Sequence, residues 1–271
     1  MSRSNRLSAR MEQLKKARQK AFCAFLTAGF PDLKTTAKLV TEFEKAGADV
    51  LELGYPFSDP LADGPTIQHS SQEALERGIS VPAVLKMMTR LRAGGLSIPV
   101  VFFTYFNPVL AYGPARFARD ARRAGFDAVL VPDLPPEEEP GFQTALRREG
   151  LLPIFLIAPT TSKPRSLKIA KASQGFIYYV SLRGVTGARK ALPADIASHL
   201  EYLRARSKKP VLIGFGVSTP AQAKELSAIS DGVIVGSAIV ERIRAARGRT
   251  GPVAAYVRRM VKAVRATAAK N

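Results

Sequence analysis

Eight short apolar runs recur along this 271-residue chain, and most are separated by roughly 10 to 15 residues with helical periodicity. The runs are Ala21–Thr27, Val50–Leu53, Val100–Tyr105, Ala128–Val131, Pro153–Ile157, Phe176–Val180, Val211–Ile213 and Gly232–Val235. Intervening stretches such as Thr35–Ala46, Gln72–Glu76 with Val81–Ala93, and Pro114–Ala124 carry the helical spacing. Runs that are apolar throughout suit parallel strands covered on both faces, and eight strand and helix units favour closure into a barrel over an open doubly wound sheet. A dinucleotide-binding sheet would need a glycine fingerprint after its first strand. The best candidate, Gly214-Phe215-Gly216, follows the seventh run and lacks the third glycine. Leu7, Met11 and Leu14 place an amphipathic helix ahead of the repeating part, and no Pro, Gly or Ser tract divides the chain. The expectation is one α/β domain over residues 1–271, a (β/α)8 TIM barrel with an extra N-terminal helix and additional helical residues at the C-terminus.

The net charge of +19 raises the question of an acidic partner, and its distribution answers it. Residues 1–20 hold seven Lys or Arg against Glu12, residues 240–271 hold nine against Glu241, and the other 219 residues carry a balance of only +5. Basic ends read as solvated helix faces. Without interleaved aromatics or a binding motif, neither nucleic acid nor an acidic membrane is expected as a partner. Cys23 is the one cysteine, so no intrachain disulfide forms and a reducing cytoplasm is expected, with Cys23 as buried filler. Its run ends at Gly29-Phe30-Pro31 without a clear leader cleavage site, and no apolar stretch approaches the length of a membrane span.

Active sites of such barrels lie at the carboxyl ends of the strands, so polar residues ending an apolar run matter first. Glu52 sits within Val50-Leu51-Glu52-Leu53-Gly54, and its side chain must enter a dry environment that raises a carboxyl pKa. A structurally paired buried glutamate would give the same pattern. The loop Tyr55–Pro65 that follows, stiff with three prolines, can place Asp59 or Asp63 over the same pocket, or use one of them merely as a turn or cap residue. The seventh and eighth runs end in Gly214-Phe215-Gly216-Val217-Ser218 and Gly236-Ser237-Ala238, where close backbone approach and a helix amino terminus, with Ser237 as a cap, favour a phosphate group. Gly184-Val185-Thr186-Gly187 after the sixth run can add donors and close over a ligand. His69 and His199 stand far apart, so a metal site is not expected, and His199 reads as a surface residue of a helix. No run contains a lysine for Schiff-base chemistry.

Leu51–Gly54 with Pro56-Phe57-Ser58-Asp59-Pro60-Leu61-Ala62-Asp63-Gly64-Pro65-Thr66-Ile67-Gln68 resembles the tryptophan synthase alpha chain family. The likeness continues in order through Tyr178–Ser181, Gly184–Gly187, Gly214–Gly216 and Gly236–Val240, nearly the whole chain. The resemblance implies retro-aldol cleavage of indole-3-glycerol phosphate to indole and D-glyceraldehyde 3-phosphate, with Glu52 giving and taking protons and Asp63 steadying charge at the indole N–H. It implies substrate contacts from Phe25, Tyr178, Thr186, Gly187, Phe215, Gly216, Gly236 and Ser237. It further implies a beta-chain partner in a tetramer of two alpha and two beta chains, met by Asp59, Pro60, Asn107 and Pro108 on the loops after the second and third strands. Pyridoxal phosphate would belong to that partner, leaving this chain without a cofactor. Tyr55, Arg183 and the basic ends depart from the family pattern without removing a site residue. A stand-alone lyase without a beta partner, and a basic barrel that binds without turnover, remain as alternatives.

Overall fold

The computed structural model describes residues 5–180, 194–214 and 216–267. Nine parallel strands run in the order β5-β4-β3-β2-β1-β9-β8-β7-β6. They are β1 (Ala21–Thr27), β2 (Val50–Gly54), β3 (Val100–Phe103), β4 (Ala128–Leu130), β5 (Leu152–Ile154), β6 (Leu156–Ile157), β7 (Ile177–Val180), β8 (Val211–Gly214) and β9 (Gly232–Val235). The expected fifth strand is thus split. Its halves occupy the two ends of the ladder and are separated only by Phe155, so the chain itself closes the TIM barrel at that seam. Pro153 has no amide hydrogen to give, and the Phe155 amide donates instead to Ser173 Oγ at 3.1 Å, which takes this point out of the ladder.

Twelve helices surround the strands among the described residues. The first, α1 (Arg6–Lys16), begins at Asn5, whose side chain accepts from the Leu7 and Ser8 amides, and it buries Leu7, Met11 and Leu14 as their spacing requires. Then follow α2 (Leu33–Lys45), α3 (Pro65–Glu76), α4 (Val81–Ala93), α5 (Phe106–Tyr112), α6 (Pro114–Ala124), α7 (Pro140–Arg148), α8 (Lys163–Ala172), α9 (Ala194–Arg206), α10 (Pro220–Ile229), α11 (Ser237–Ala246) and α12 (Thr250–Arg265).

Two buried aspartates fasten the terminal helices to the floor of the barrel. Asp127, just before β4, pairs with Arg6 and Arg92, both at 2.9 Å. Asp49, just before β2, pairs with Arg10 at 2.6 Å and with Arg265 at 2.8 Å, and accepts from the Phe22 amide. Arg6, Arg10 and Arg265 are therefore not merely solvated charges, as a reading of the basic ends by composition had it. They neutralise carboxylates whose side chains are fully buried, and stranding such a charge typically costs about 3–5 kcal/mol.

Three further expectations are corrected. His199 is buried rather than on the surface, at 7% exposure. Helical spacing puts it on the face of α9 that carries buried Ile196 and Leu203, and its ring nitrogens meet Ser166 Oγ at 2.9 Å and Tyr179 Oη at 3.2 Å. The third strand stops at Phe103, and α5 begins three residues later because the Asp133 carboxylate accepts the Phe106 amide at 3.0 Å. Asn107 and Pro108 consequently lie in a helix, not a loop. Finally, α3 starts at Pro65, well before the expected Gln72, with Gly64 as its cap and proline at its first position.

Candidate active site

Register decides which side chains share the barrel interior. Phe25 on β1 lies opposite Glu52 on β2, with Cys23 opposite Val50 and Thr27 opposite Gly54, so Cys23, Phe25, Glu52 and Gly54 point to one side of adjoining strands. The ring of Phe25 covers Gly54, where a Cβ would come within 2.5 Å of it. Phe25 also meets Phe103 edge-on at 5.6 Å and lies against Gly236. On the other side of the barrel Tyr178 (β7) lies over Gly214 (β8), where a Cβ would stand 2.6 Å from the phenol oxygen. Both glycines are thus places where an aromatic ring of the pocket needs the room.

Glu52 is 1% exposed, and its Oε1 has no hydrogen-bond partner among the described residues. Burial raises its pKa to about 8, opposed only by the neighbouring Cys23 thiol, which itself is pushed well up by burial and by the glutamate. Near neutral pH Glu52 is therefore mostly the neutral acid. Such an unsatisfied buried group is costly to a fold, and its persistence at a strand end points to chemistry.

Asp63 belongs to the loop after β2. Half-buried, it has its pKa raised to about 6 by desolvation, against a lowering hydrogen bond from Tyr105. At neutral pH it is mostly ionised. The two carboxyls thus separate as their sequence contexts imply, although Asp63 sits in a drier place than a polar loop suggests. Tyr178 is affected by both, since the charges of Glu52 and Asp63 help burial push its phenol pKa up. Both carboxyls therefore lie near enough to Tyr178 to act on it electrostatically.

The sequence reading missed Tyr105. Its hydroxyl donates to Asp63 Oδ2 at 3.1 Å and accepts from the Ala62 amide at 2.9 Å, fixing both the carboxylate and the loop that carries it. A tyrosine closing an apolar run at the carboxyl end of a strand was the available signal, obscured by counting it as strand. Gln68, donating from Nε2 to the Asp63 carbonyl at 2.8 Å, was also missed. Tyr105→Phe is expected to lower turnover about tenfold, because it removes a hydrogen bond from the charged Asp63 and the acceptor of the Ala62 amide in the same loop. It should also move the titration of Asp63 upward, which a pH profile of the rate will register.

The glycine-bearing end of the pocket is formed by the turns after β8 and β9. Gly216 adopts a left-handed φ of +74°, a conformation that favours glycine. Gly236 caps α11, and Ser237 is the first residue of that helix, not its cap. The first amides of α11 thus point out of the helix end beside Phe25, available to an anion. Thr186, Gly187 and Phe215, together with Arg183, lie outside the described residues. Asp59 is exposed and Pro60 half-buried in the loop after β2, while Asn107 is exposed and Pro108 half-buried on α5. Leu61 and Leu110 beside them are 93% and 49% exposed, the large apolar side chains most open to solvent among the described residues. Also among the described residues, no three His, Cys, Asp or Glu side chains gather as metal ligands would.

A family model described as tryptophan synthase alpha chain matches residues 11–268. A tryptophan synthase alpha chain of Citrifermentans bemidjiense is 51% identical over 237 residues, 88% of each chain. That of Geobacter sulfurreducens is 46% identical over 264 residues, covering 96% of this chain and 99% of its own. The crystal structure of the alpha chain from Legionella pneumophila superposes with a TM-score of 0.88 at 36% identity, covering 97% of this chain and 98% of its own. A chain of the tryptophan synthase of Mycobacterium tuberculosis gives 0.88 at 34% identity, with 97% and 99% covered. With the family model spanning nearly all of it and relatives this similar over this length, the chain belongs to the tryptophan synthase alpha chain family.

Proposed function

We propose that this barrel cleaves indole-3-glycerol phosphate by a retro-aldol reaction in which Glu52 carries protons and Asp63 holds charge. The observation that carries this reading is the fully buried carboxyl of Glu52, neutral near pH 7 and with Oε1 unpartnered among the described residues, while an ionised Asp63 acts on the same Tyr178 ring. Carbon 3 of the indole must be protonated before it can leave, and only a neutral acid can supply that proton. Glu52 gives it, and positive charge develops at the ring nitrogen, where Asp63 stabilises it. The bond from carbon 3 to the glycerol chain then breaks, its electron pair restoring the indole. The Glu52 carboxylate takes the proton of the adjacent glycerol hydroxyl as the aldehyde forms. Protons balance, and the glutamate ends neutral.

Phe25 and Tyr178, with Phe215, supply apolar walls for a flat aromatic leaving group. Gly216, Gly236 and Ser237, with Thr186 and Gly187, supply the backbone donors for the phosphate, whose binding holds the scissile bond against Glu52. The reaction calls for no cofactor in this chain. The exposed Leu61 and Leu110, beside Asp59, Pro60, Asn107 and Pro108, give an apolar patch suited to a beta chain that carries pyridoxal phosphate, in a cytoplasmic tetramer of two alpha and two beta chains.

Incubating the purified chain with indole-3-glycerol phosphate, with and without a beta chain, tests this. Equal amounts of indole and glyceraldehyde 3-phosphate are expected from the chain alone. Adding a beta chain should speed the reaction and produce a complex by light scattering. Absence of both products sinks the reaction, whereas unchanged indole production and no complex sink only the partner.

A further inference from the structure

At the pole opposite the candidate active site, the chain forms a cavity of about 780 Å³ between the end of α1, the turn into β1, the turn from α9 into β8, and the residues before β9. That volume is typical of a site for a small organic molecule. Its walls carry six cations, Lys15, Arg18, Lys20, Arg204, Lys208 and Lys209. Among the described residues the acids that line it with them are Glu12 and Asp231, and both are already engaged. Glu12 pairs with Lys16 at 2.8 Å, and Asp231 pairs with Arg204 at 3.4 Å while accepting the Val211 amide at 2.9 Å.

The cations fall into two groups. Lys20 donates to the Ser230 carbonyl at 2.8 Å, and Lys209 to the carbonyls of Ala170 and Lys171 at 2.9 Å each, so these ammonium groups are built into the wall. Desolvation pushes the pKa of both below the ordinary lysine range, a cost that an anion in the cavity would relieve. Lys15, Arg18 and Lys208 differ. Their exposed side chains have no hydrogen bond or ion pair with any described residue, and Arg18 is held in a left-handed φ of 54° that glycine would favour. Below them the floor is apolar, with Met11 at 7% and Leu14 at 4% exposure.

We propose that this cavity is a second, non-catalytic site for a small organic polyanion of nucleotide size, its phosphates held by Lys15, Arg18 and Lys208 and its apolar body resting on Met11 and Leu14. The site also gives part of the unexplained N-terminal charge a use. A nucleic-acid strand fits less well, because the cations ring a cavity and no aromatic side chain among the described residues lines it for base stacking.

Calorimetric titration of the full chain with ATP at ~0.15 M salt, where distant surface charges are screened, tests the proposal. Saturating glycerol 3-phosphate is added to occupy the catalytic phosphate loops. One ATP per chain is expected, bound more tightly than tripolyphosphate or adenosine and at least tenfold more weakly by the combined Lys15→Gln, Arg18→Gln, Lys208→Gln variant. Hydrogen exchange should show ATP protecting residues 14–21 and 204–211. Each of the following overturns the proposal: no saturable binding, displacement by glycerol 3-phosphate, equal affinity for tripolyphosphate, unchanged affinity in the triple variant, or tighter binding of a single-stranded oligonucleotide.

Discussion

Glu52→Gln is expected to cut indole release by about three orders of magnitude, within the range that a positioned proton carrier supplies, while leaving phosphate-ligand binding intact. Glutamine keeps the size of the side chain but has no proton to give at carbon 3 and no carboxylate to receive one. Steady-state kinetics should show the loss in kcat. Stability should move the other way with pH. Because the folded-state pKa of Glu52 lies near 8, above its ordinary 4.5, the folded protein holds an extra proton between those values. The group therefore costs stability as pH rises through that window, by at most about 1.4 kcal/mol per pH unit. The glutamine variant lacks this slope, so urea unfolding at pH 5 and pH 8 should find its advantage over the parent growing toward the higher pH. Near-normal turnover in the variant would remove Glu52 from the chemistry.

Asp63→Asn comes second, with an expected loss of about 10²–10³-fold in kcat and a smaller change in KM. Tyr105 can still donate to the amide oxygen, so the loop keeps its shape and what disappears is negative charge. That charge acts on a transition state with positive charge spread into the indole ring, and a fixed countercharge in a partly dry site has this order of effect. If Asp63 only stabilised the loop, the asparagine variant would keep kcat and lose heat stability instead. A thermal melt beside the kinetics separates the two outcomes.

Much of the architecture was legible because parallel strands covered on both faces are mainly apolar, and the eight runs are, with Glu52 the one charged residue inside them. What a linear pattern could not show was anything decided by contact at a distance. The break at Phe155 depends on Ser173 taking an amide from the ladder, and α5 depends on Asp133 reaching back to Phe106. His199 looked like a surface residue because one polar side chain says little until the helix face is known, and that face is set by Ser166 and Tyr179. Glu52 was legible from its apolar neighbours alone. Asp63 was only one of two aspartates until the loop signature singled it out, and its anchor Tyr105 lies in a different strand-and-helix unit. Thr186, Gly187 and Phe215 lie outside the described residues, so their part in the site rests on the sequence.

The central claim is a division of labour between two carboxyls whose environments keep one protonated and the other charged. Measuring kcat/KM for indole release from pH 5 to pH 10 tests it most directly. A bell is expected, rising as Asp63 ionises near pH 6 and falling as Glu52 loses its proton near pH 8, with the acid limb diminished in Asp63→Asn. A rate that stays level from pH 7 through pH 10 would contradict the account, because Glu52 would then be working without the proton it is assigned to deliver.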